Sequence, residues 1–318
     1  MSSTAWTAAD VPDLSGRTAI VTGANSGLGK EATRIFAENG ADVVMACRSV
    51  ARGRAAADEI RNDGVEGDLS VRELDLADLE SVESFAEGVL ADHEEIDCLC
   101  NNAGVMAIPR SETADGFETQ FGVNHLGHFA LTGHLLDRLI ETPRESRIVT
   151  HSSGAHERGT IDFDDLQGDA DYGKWDAYAQ SKLANVLFAS ELDRRLDRAG
   201  VPSVTSVACH PGYAATNLQR RGPEQAGSTV RLWMMRAANA VFAQPASRGA
   251  LPMVYAASAD RIEGGEYVGP GGFMNMRGYP EPQRSSERSD DEDLARRLWD
   301  VSESLAGVEY GLEDRMEA

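Results

Sequence analysis

The chain has 318 residues, of which 42% are hydrophobic, and 52 acidic against 30 basic residues give a net charge of −22. An acidic surface of this size repels nucleic acid and anionic membranes, so we expect neither as a partner. No run approaches the ~18 apolar residues that a membrane span needs. The stretch Met1 to Asp10 has neither a basic start nor an apolar run. We therefore expect no secretory signal or membrane anchor, and a cytoplasmic location.

Lysine is scarce in this chain. Only Lys30, Lys174 and Lys182 are lysines, and the other basic residues are arginines. An ordinary acidic protein would usually carry more lysine. We favour adaptation to a very salty cytoplasm, because strong self-repulsion is tolerable where the Debye length is only ~3 Å or less.

The four cysteines are Cys47, Cys98, Cys100 and Cys209, at or near the ends of predicted strands. We expect buried free thiols, as is typical of a reducing compartment. Cys98 and Cys100 are two apart on a strand, and we expect their side chains to point to opposite faces and to share no metal.

Strands and helices alternate along the first two thirds of the chain, which predicts a parallel, doubly wound sheet with helices on both faces. Hydrophobic runs predict strands at 17–22, 41–46, 69–74, 96–100, 146–151 and 203–209. Helical spacing predicts helices at 30–39, 51–60, 79–90, 118–140 and 176–199.

The pattern becomes less regular after His210. The apolar stretch 230–243 is either a core helix or a mobile flap over an apolar substrate, since its methionines suit an adaptable surface. A last helix is expected near 291–305, before an acidic tail. We predict one Rossmann domain, 1–318, with a core at 14–279, a substrate flap at 214–245 and a C-terminal helix and tail at 289–318.

A glycine-rich turn follows the first predicted strand. It reads Thr22-Gly23-Ala24-Asn25-Ser26-Gly27-Leu28-Gly29. Three glycines let the backbone turn sharply and approach a pyrophosphate, whose charge faces the start of the next helix. The turn therefore predicts a dinucleotide site.

The end of the second strand indicates which dinucleotide. Enzymes that use NAD usually place Asp or Glu there, against the ribose 2′-hydroxyl. This chain has Cys47 and Arg48. A guanidinium suits a 2′-phosphate, so NADP(H) is favoured over NAD(H), although Arg48 could also be an ordinary surface arginine.

Tyr178 and Lys182 begin a predicted helix and share one of its faces, because they are four residues apart. A nearby ammonium favours phenolate, so we expect the pKa of Tyr178 to fall below its usual value of ~10. Tyr178 could then exchange a proton with a substrate oxygen. Lysine is rare here, and its use at 182 indicates a specific role.

Ser152 and Ser153 follow the fifth strand, at the sheet edge where such folds bind ligands. A hydroxyl there can donate to a substrate carbonyl oxygen. The alternative is a cap of the following turn.

Together these motifs resemble the short-chain dehydrogenase/reductase family over roughly 14–279. The family's TGxxxGxG, NNAG and YxxxK are matched by Thr22 to Gly29, Asn101 to Gly104 and Tyr178 to Lys182. The resemblance implies an adenine site at Asp75 and Leu76, with Asn101, Asn102, Ala103 and Gly104 on the adenosine side. It also implies that Asn124 is the catalytic asparagine that carries a water towards Lys182, and that Pro211, Gly212 and Thr216 bind the nicotinamide carboxamide.

Within the family, the sequence is closer to the retinol-dehydrogenase-like and protochlorophyllide-reductase-like branch. The resembling segments are Ala46-Cys47-Arg48, 123–129, 178–185 and His210-Pro211-Gly212. This branch mostly uses NADP(H), and its spacing between serine and tyrosine favours Ser153 over Ser152. Its membrane-bound members start with an apolar anchor that does not match Met1 to Asp10, so retinoid activity is not implied.

The resemblance implies an NADP(H)-dependent interconversion of an alcohol and a carbonyl, with Tyr178, Lys182, Ser153 and Asn124 as catalytic residues and a small apolar substrate. No metal is expected. Relatives often pair through the helices that carry Asn124 and Tyr178, so a homodimer is possible. The alternatives are reduction of a carbon–carbon double bond and a non-catalytic NADP(H)-binding protein.

Overall fold

The architecture comes from a computed structural model, which describes residues 5–213, 244–312 and 315. Its centre is one eight-stranded sheet in the order β3-β2-β1-β4-β5-β6-β7-β8. All neighbours are parallel except β7 and β8, which are antiparallel. The strands are β1 (Thr18–Thr22), β2 (Asp42–Cys47), β3 (Leu69–Glu73), β4 (Cys98–Asn101), β5 (Ser146–His151), β6 (Val204–Cys209), β7 (Tyr267–Pro270) and β8 (Pro280–Gln283).

Helices connect these strands and cover both sides of the sheet. They are α1 (Gly27–Glu38), α2 (Val50–Asn62), α3 (Leu79–Asp92), α4 (Thr119–Phe121), α5 (Gly127–Glu141), α6 (Lys174–Arg198), α7 (Ala246–Ser258) and α8 (Glu292–Ala306). A π-helical turn, Gly122–Leu126, joins α4 to α5, and a short 3₁₀ turn, Gly154–Arg158, follows β5.

The two faces of the sheet bury separate cores because side chains alternate along each strand. In β1, Ala19 and Val21 join the core under α1, α2 and α7, whereas Ile20 joins the core under α3, α5 and α6. β2 carries the nearly continuous hydrophobic run 43–47 that is typical of a strand buried on both faces of a parallel sheet. The predicted doubly wound α/β fold is therefore confirmed.

The C-terminal part of the sheet was not predicted. β7 has four residues and ends in proline, and β8 reads PEPQ, so neither carries the usual strand signal. Proline is tolerated because β8 is the edge strand. α7 contains Pro252, which weakens its helical pattern. The helix expected at 118–140 is divided by the π-helical turn.

All four cysteines are buried free thiols, as predicted. The expectation that Cys98 and Cys100 face opposite sides was wrong. Residues two apart on a strand lie on the same face, and the two Sγ atoms are 3.6 Å apart. In the described part of the chain, no group of three or more His, Cys, Asp and Glu side chains is arranged to hold a metal ion.

α8 packs across α5 and α6. Its Trp299 is buried against Phe129 of α5 and Phe188 of α6, at ring-centroid distances of 5.1 and 5.9 Å. Tyr310, in the segment after α8, adds a third ring and donates a 2.7 Å hydrogen bond to the Phe129 carbonyl. The predicted final helix is therefore an integral part of the core.

The proposed flap falls almost wholly on 214–243, which lie outside the described residues. Thr216 lies there too. Within the described ranges no helix has both the length and the apolarity that a membrane crossing requires.

Candidate active site

A cleft of about 610 Å³ opens at the carboxyl edge of the parallel strands. Ligands of open α/β sheets bind at this edge. The cleft brings together predicted residues from seven separate segments of the chain: Thr22, Gly23, Asn25, Ser26, Gly27, Leu28, Gly29, Arg48, Asp75, Leu76, Asn102, Ala103, Gly104, Ser153, Tyr178, Lys182, Pro211 and Gly212.

The glycine-rich turn forms a cradle that side chains would fill. Gly23 has φ +68°, a left-handed conformation that favours glycine. A Cβ on Gly29 would lie 2.6 Å from Asn102 Nδ2 and 2.7 Å from the Gly23 carbonyl oxygen. The open backbone at the start of α1 can receive the pyrophosphate of a dinucleotide, so this end of the cleft fits NAD or NADP.

Thr22 connects the first turn to the segment after β4. Its Oγ1 accepts hydrogen bonds from the backbone N–H groups of Asn102 and Ala103, both at 2.9 Å. Asn102 Nδ2 donates at 2.7 Å to the Thr22 carbonyl. Thr22 therefore holds two walls of the cleft together.

The position of the Asn101 side chain differs from what the resemblance implied. Its side chain is fully buried and donates to Thr132 Oγ1 of α5 at 2.9 Å, so it does not line the cleft. Asn101 is a β4 residue, and its neighbour Asn102, beyond the end of the strand, is the one that faces the cleft.

Arg48 follows β2 and lines the cleft with its side chain exposed. Arg52, one turn into α2, lines the same region and was not predicted. Two guanidinium groups thus stand at this end of the cleft, whereas Asp or Glu would be expected for NAD.

Tyr178 is buried on α6, 5% exposed. Burial raises the pKa of the phenol to about 12, and a hydrogen bond with Ser153 opposes this shift. The expectation that Lys182 would lower the pKa of Tyr178 is wrong for this structure, because loss of water outweighs a lysine whose Nζ lies 5.9 Å from the ring centroid.

Lys182 is buried one turn further along α6. Burial lowers the pKa of its amine to about 8. Nζ donates to the His151 carbonyl at the end of β5, at 3.0 Å, which fixes the amine beside the cleft. An amine with a pKa of about 8 can release a proton close to physiological pH, which an arginine could not do.

The two serines have different surroundings. Ser152 Oγ donates to the Lys182 carbonyl at 2.7 Å, and the residue is buried in the cleft wall. Ser153 is partly exposed, contacts Tyr178 and accepts a 3.2 Å bond from the Ala155 N–H as the cap of the 3₁₀ turn. Ser153 is thus both a turn cap and the hydroxyl beside the phenol.

The unpredicted strand β7 and the segment after β8 support the Ser153 turn through His156. His156 Nε2 accepts the Ser286 N–H at 3.2 Å, so Nδ1 carries the proton and donates to the Ser153 carbonyl at 2.7 Å. The His156 ring also packs against Tyr267 of β7, with centroids 4.9 Å apart. Sequence spacing gave no signal for this support.

Asn124 is buried in the π-helical turn, directly behind the cleft wall. Its Oδ1 accepts the Val105 N–H at 2.8 Å, and its Nδ2 donates to the Val105 carbonyl and to Ser181 Oγ, both at 2.9 Å. A Cβ on Gly104 would lie 2.9 Å from Asn124 Oδ1 and 3.7 Å from Lys182 Nζ. Asn124 and Lys182 therefore both lie beside Gly104, and a π turn at such a position is typical of functional sites.

His128 connects this turn to the glycine-rich end. A carbonyl only accepts, so Nδ1 donates to the Asn124 carbonyl at 3.1 Å, and Nε2 accepts from Thr22 Oγ1 at 2.9 Å. Burial lowers the pKa of His128 to about 3, which keeps the ring neutral. The cofactor end and the Asn124 turn thus share one buried hydrogen-bond chain.

Several cleft residues were missed by the sequence analysis. They come mainly from the segment after β4, from the π turn and from the start of α6: Val105, Met106, Ala107, Thr119, Val123, Lys174 and Trp175. Most are apolar and belong to no motif. The scarcity of lysine was the signal available for Lys174, but the sequence analysis applied it only to Lys182.

Comparison with known proteins agrees with this geometry. A family model described as short chain dehydrogenase matches residues 17–227. Retinol dehydrogenase 12 of Homo sapiens is 42% identical over 300 residues, covering 93% of this chain and 88% of that protein.

Solved structures give the same result. An uncharacterised protein from Mycobacterium paratuberculosis is 44% identical, with a TM-score of 0.79 over 96% of this chain and 99% of that one. A structure described as an NAD(P)-dependent gluconate 5-dehydrogenase from Beutenbergia cavernae, with bound NADP, is 30% identical, with a TM-score of 0.58 over 77% of this chain and 91% of that one. These matches support an alcohol–carbonyl oxidoreductase that binds NAD or NADP. The chain belongs to the short-chain dehydrogenase family, in its retinol-dehydrogenase-like branch.

Proposed function

We propose that this protein is an NADP(H)-dependent oxidoreductase that interconverts a small apolar alcohol and its carbonyl compound. The carrying observation is that the Tyr178 phenol, hydrogen-bonded to Ser153, and the Lys182 amine line one cleft with the glycine-rich cradle. The cofactor supplies or accepts the hydride when bound.

The protein's own groups would divide the remaining work. Ser153 donates to the substrate oxygen and orients it. Tyr178 holds a proton at physiological pH, because its pKa is raised to about 12, and it donates that proton as the carbonyl is reduced. Lys182 binds the nicotinamide ribose and supplies positive charge that favours phenolate after donation. Asn124 supports the proton relay from its position beside Gly104, which Lys182 Nζ also adjoins.

The remaining residues would bind the cofactor. Arg48 favours the 2′-phosphate of NADP(H), with Arg52 beside it. Asp75 and Leu76 would hold the adenine, while Pro211 and Gly212 would bind the carboxamide. Gln244 Nε2 donates to the Pro211 carbonyl at 2.7 Å and so steadies that loop. Thr216 remains part of the proposal, outside the described residues.

Two other functions have less support. Reduction of a carbon–carbon double bond could use the same cleft and is distinguished by product analysis. A non-catalytic NADP(H)-binding protein would not require Ser153, Tyr178, Lys182 and Asn124 together, and all four are assembled here. We also propose a cytoplasmic location.

The direct test is loss of NADPH absorbance in concentrated salt with a panel of aldehydes, ketones and quinones that includes retinal, repeated with NADH. We expect turnover that prefers NADPH, with an alcohol as product. A saturated product that keeps its carbonyl would favour the double-bond reaction. Tight NADPH binding without turnover on any substrate would favour the non-catalytic alternative.

A further inference from the structure

We propose that Trp175 is a specificity residue that selects carbonyl compounds whose carbonyl is attached to a flat aromatic ring. This inference rests on the proposed function and names its substrate class. Within the described ranges, three large apolar side chains are exposed: Trp175, Met274 and Tyr279. Of these, only Trp175 lines the cleft, and it is 56% exposed.

Trp175 stands where a substrate ring would lie. It precedes Tyr178 by three residues, which places both side chains on one face of α6, about 4.5 Å apart along the axis. The indole meets the phenol edge-on, with centroids 6.2 Å apart and planes at 80°. A substrate whose oxygen reaches Tyr178 and Ser153 therefore extends its ring system towards the indole.

The cleft also has an apolar wall. Val105, Met106 and Ala107, from the segment after β4, line it together with Val123 of the π turn. A flat ring between this wall and an indole gains dispersion contacts on both sides, and aromatic pairs gain additional energy from ring geometry. Methionine adds a favourable sulfur–aromatic contact.

Gln120 links this apolar wall to the start of α6. It is fully buried, and its Oε1 accepts the Ala107 N–H at 2.6 Å. Its Nε2 donates to the Lys174 carbonyl, next to Trp175, at 2.9 Å and to the Tyr172 hydroxyl at 2.8 Å. One amide therefore holds both walls, so the opening is set before the substrate arrives, which favours rigid planar ligands.

The test compares two substrates of similar shape and carbon skeleton, 2-naphthaldehyde and decahydronaphthalene-2-carbaldehyde, across three proteins. Trp175→Phe keeps an aromatic ring, whereas Trp175→Leu keeps apolar bulk without one. Differences in intrinsic reactivity cancel because the same pair is used throughout. We expect the ratio of kcat/KM, aromatic over saturated, to fall about 3- to 10-fold in Trp175→Leu and to stay close to the original in Trp175→Phe.

Tyr279→Leu provides the matched control, because Tyr279 is an exposed aromatic residue, 40% exposed, that does not line the cleft. It should leave the ratio unchanged. An unchanged ratio in Trp175→Leu, in an enzyme that reduces both aldehydes, would overturn the role of Trp175 and leave the proposed function intact. Absence of turnover on every carbonyl compound, with intact NADPH binding, would instead overturn the proposed function.

Discussion

The two ends of the cleft consist of different chemical groups in different environments. The glycine-rich end offers backbone groups and exposed guanidinium groups, such as Arg48, that remain in water until a ligand arrives. The catalytic end is buried, and Tyr178 and Lys182 there have pKa values moved to about 12 and about 8 by loss of water.

The difference has a physical explanation. A diphosphate needs many donors and charge complementarity, which backbone N–H groups and arginines supply without burial. Proton transfer needs groups whose pKa values are adjusted, and desolvation adjusts them most strongly. The catalytic end therefore depends on an intact core, whereas the cofactor end depends on surface charge.

The largest expected effect is acid unfolding caused by three buried imidazoles. His125, His128 and His151 are buried, and desolvation lowers their pKa values from the ordinary 6.5 to about 3. As the pH falls, these histidines are protonated in the unfolded chain at a higher pH than in the folded chain. The stability that depends on the neutral imidazoles is therefore fully present above pH 6.5 and is lost as the pH falls towards 3. At pH 5 the loss is about 2 kcal/mol for each imidazole.

Urea unfolding at pH 7.5 and pH 5, at constant salt, measures this loss. His128→Gln should reduce the difference between the two pH values by about 2 kcal/mol. His134→Gln, at a partly exposed histidine, is the control and should leave it unchanged. Equal acid sensitivity in all three proteins would contradict the role of the buried imidazoles.

The next effect is catalytic. Tyr178→Phe removes the proton donor and retains the ring, so we expect turnover to fall at least ~100-fold while NADPH affinity, measured by fluorescence titration, stays within a few fold. The phenylalanine ring can keep the edge-on contact that Tyr178 makes with Trp175, so packing in the variant should resemble the original. Undiminished turnover would remove Tyr178 from the mechanism.

At the cofactor end, Arg48→Leu should weaken NADPH binding about 30-fold and leave NADH binding nearly unchanged, because one charge-assisted contact with the 2′-phosphate is lost. Arg54→Leu removes an exposed arginine of the following helix, α2, that does not line the cleft, and it should change the binding of neither cofactor. Equal losses with both cofactors would mean that Arg48 does not recognise the phosphate.

The smallest expected effect is a loss of stability at low salt, which arises from charges over the whole surface. With a net charge of −22, lowering the salt from 3 M to 0.1 M should lower the free energy of unfolding by about 1 kcal/mol or more, because screening is lost. Urea titrations at several concentrations of KCl measure it. Stability that does not fall on desalting would refute adaptation to a salty cytoplasm.

Local sequence motifs made most of the cofactor end predictable, together with the Tyr178/Lys182 pair of the catalytic end. The turn at 22–29 and the Tyr178/Lys182 pair need only neighbouring residues to define their geometry. Sequence spacing did not reveal the raised pKa of Tyr178, which depends on burial by distant segments. Nor did it indicate Gln120, Trp175 or the β7–β8 pair, because their roles arise from contacts between segments far apart in the chain.

The position of α8 bears on self-association. Relatives were expected to pair through the helices that carry Asn124 and Tyr178, but α8 already packs over α5 and α6, and Ser302 of α8 lies 2.8 Å from His125 in the π turn. The helices through which pairing was expected are thus partly covered by the C-terminal helix of the same chain. Its thermal midpoint should accordingly show no dependence on dilution.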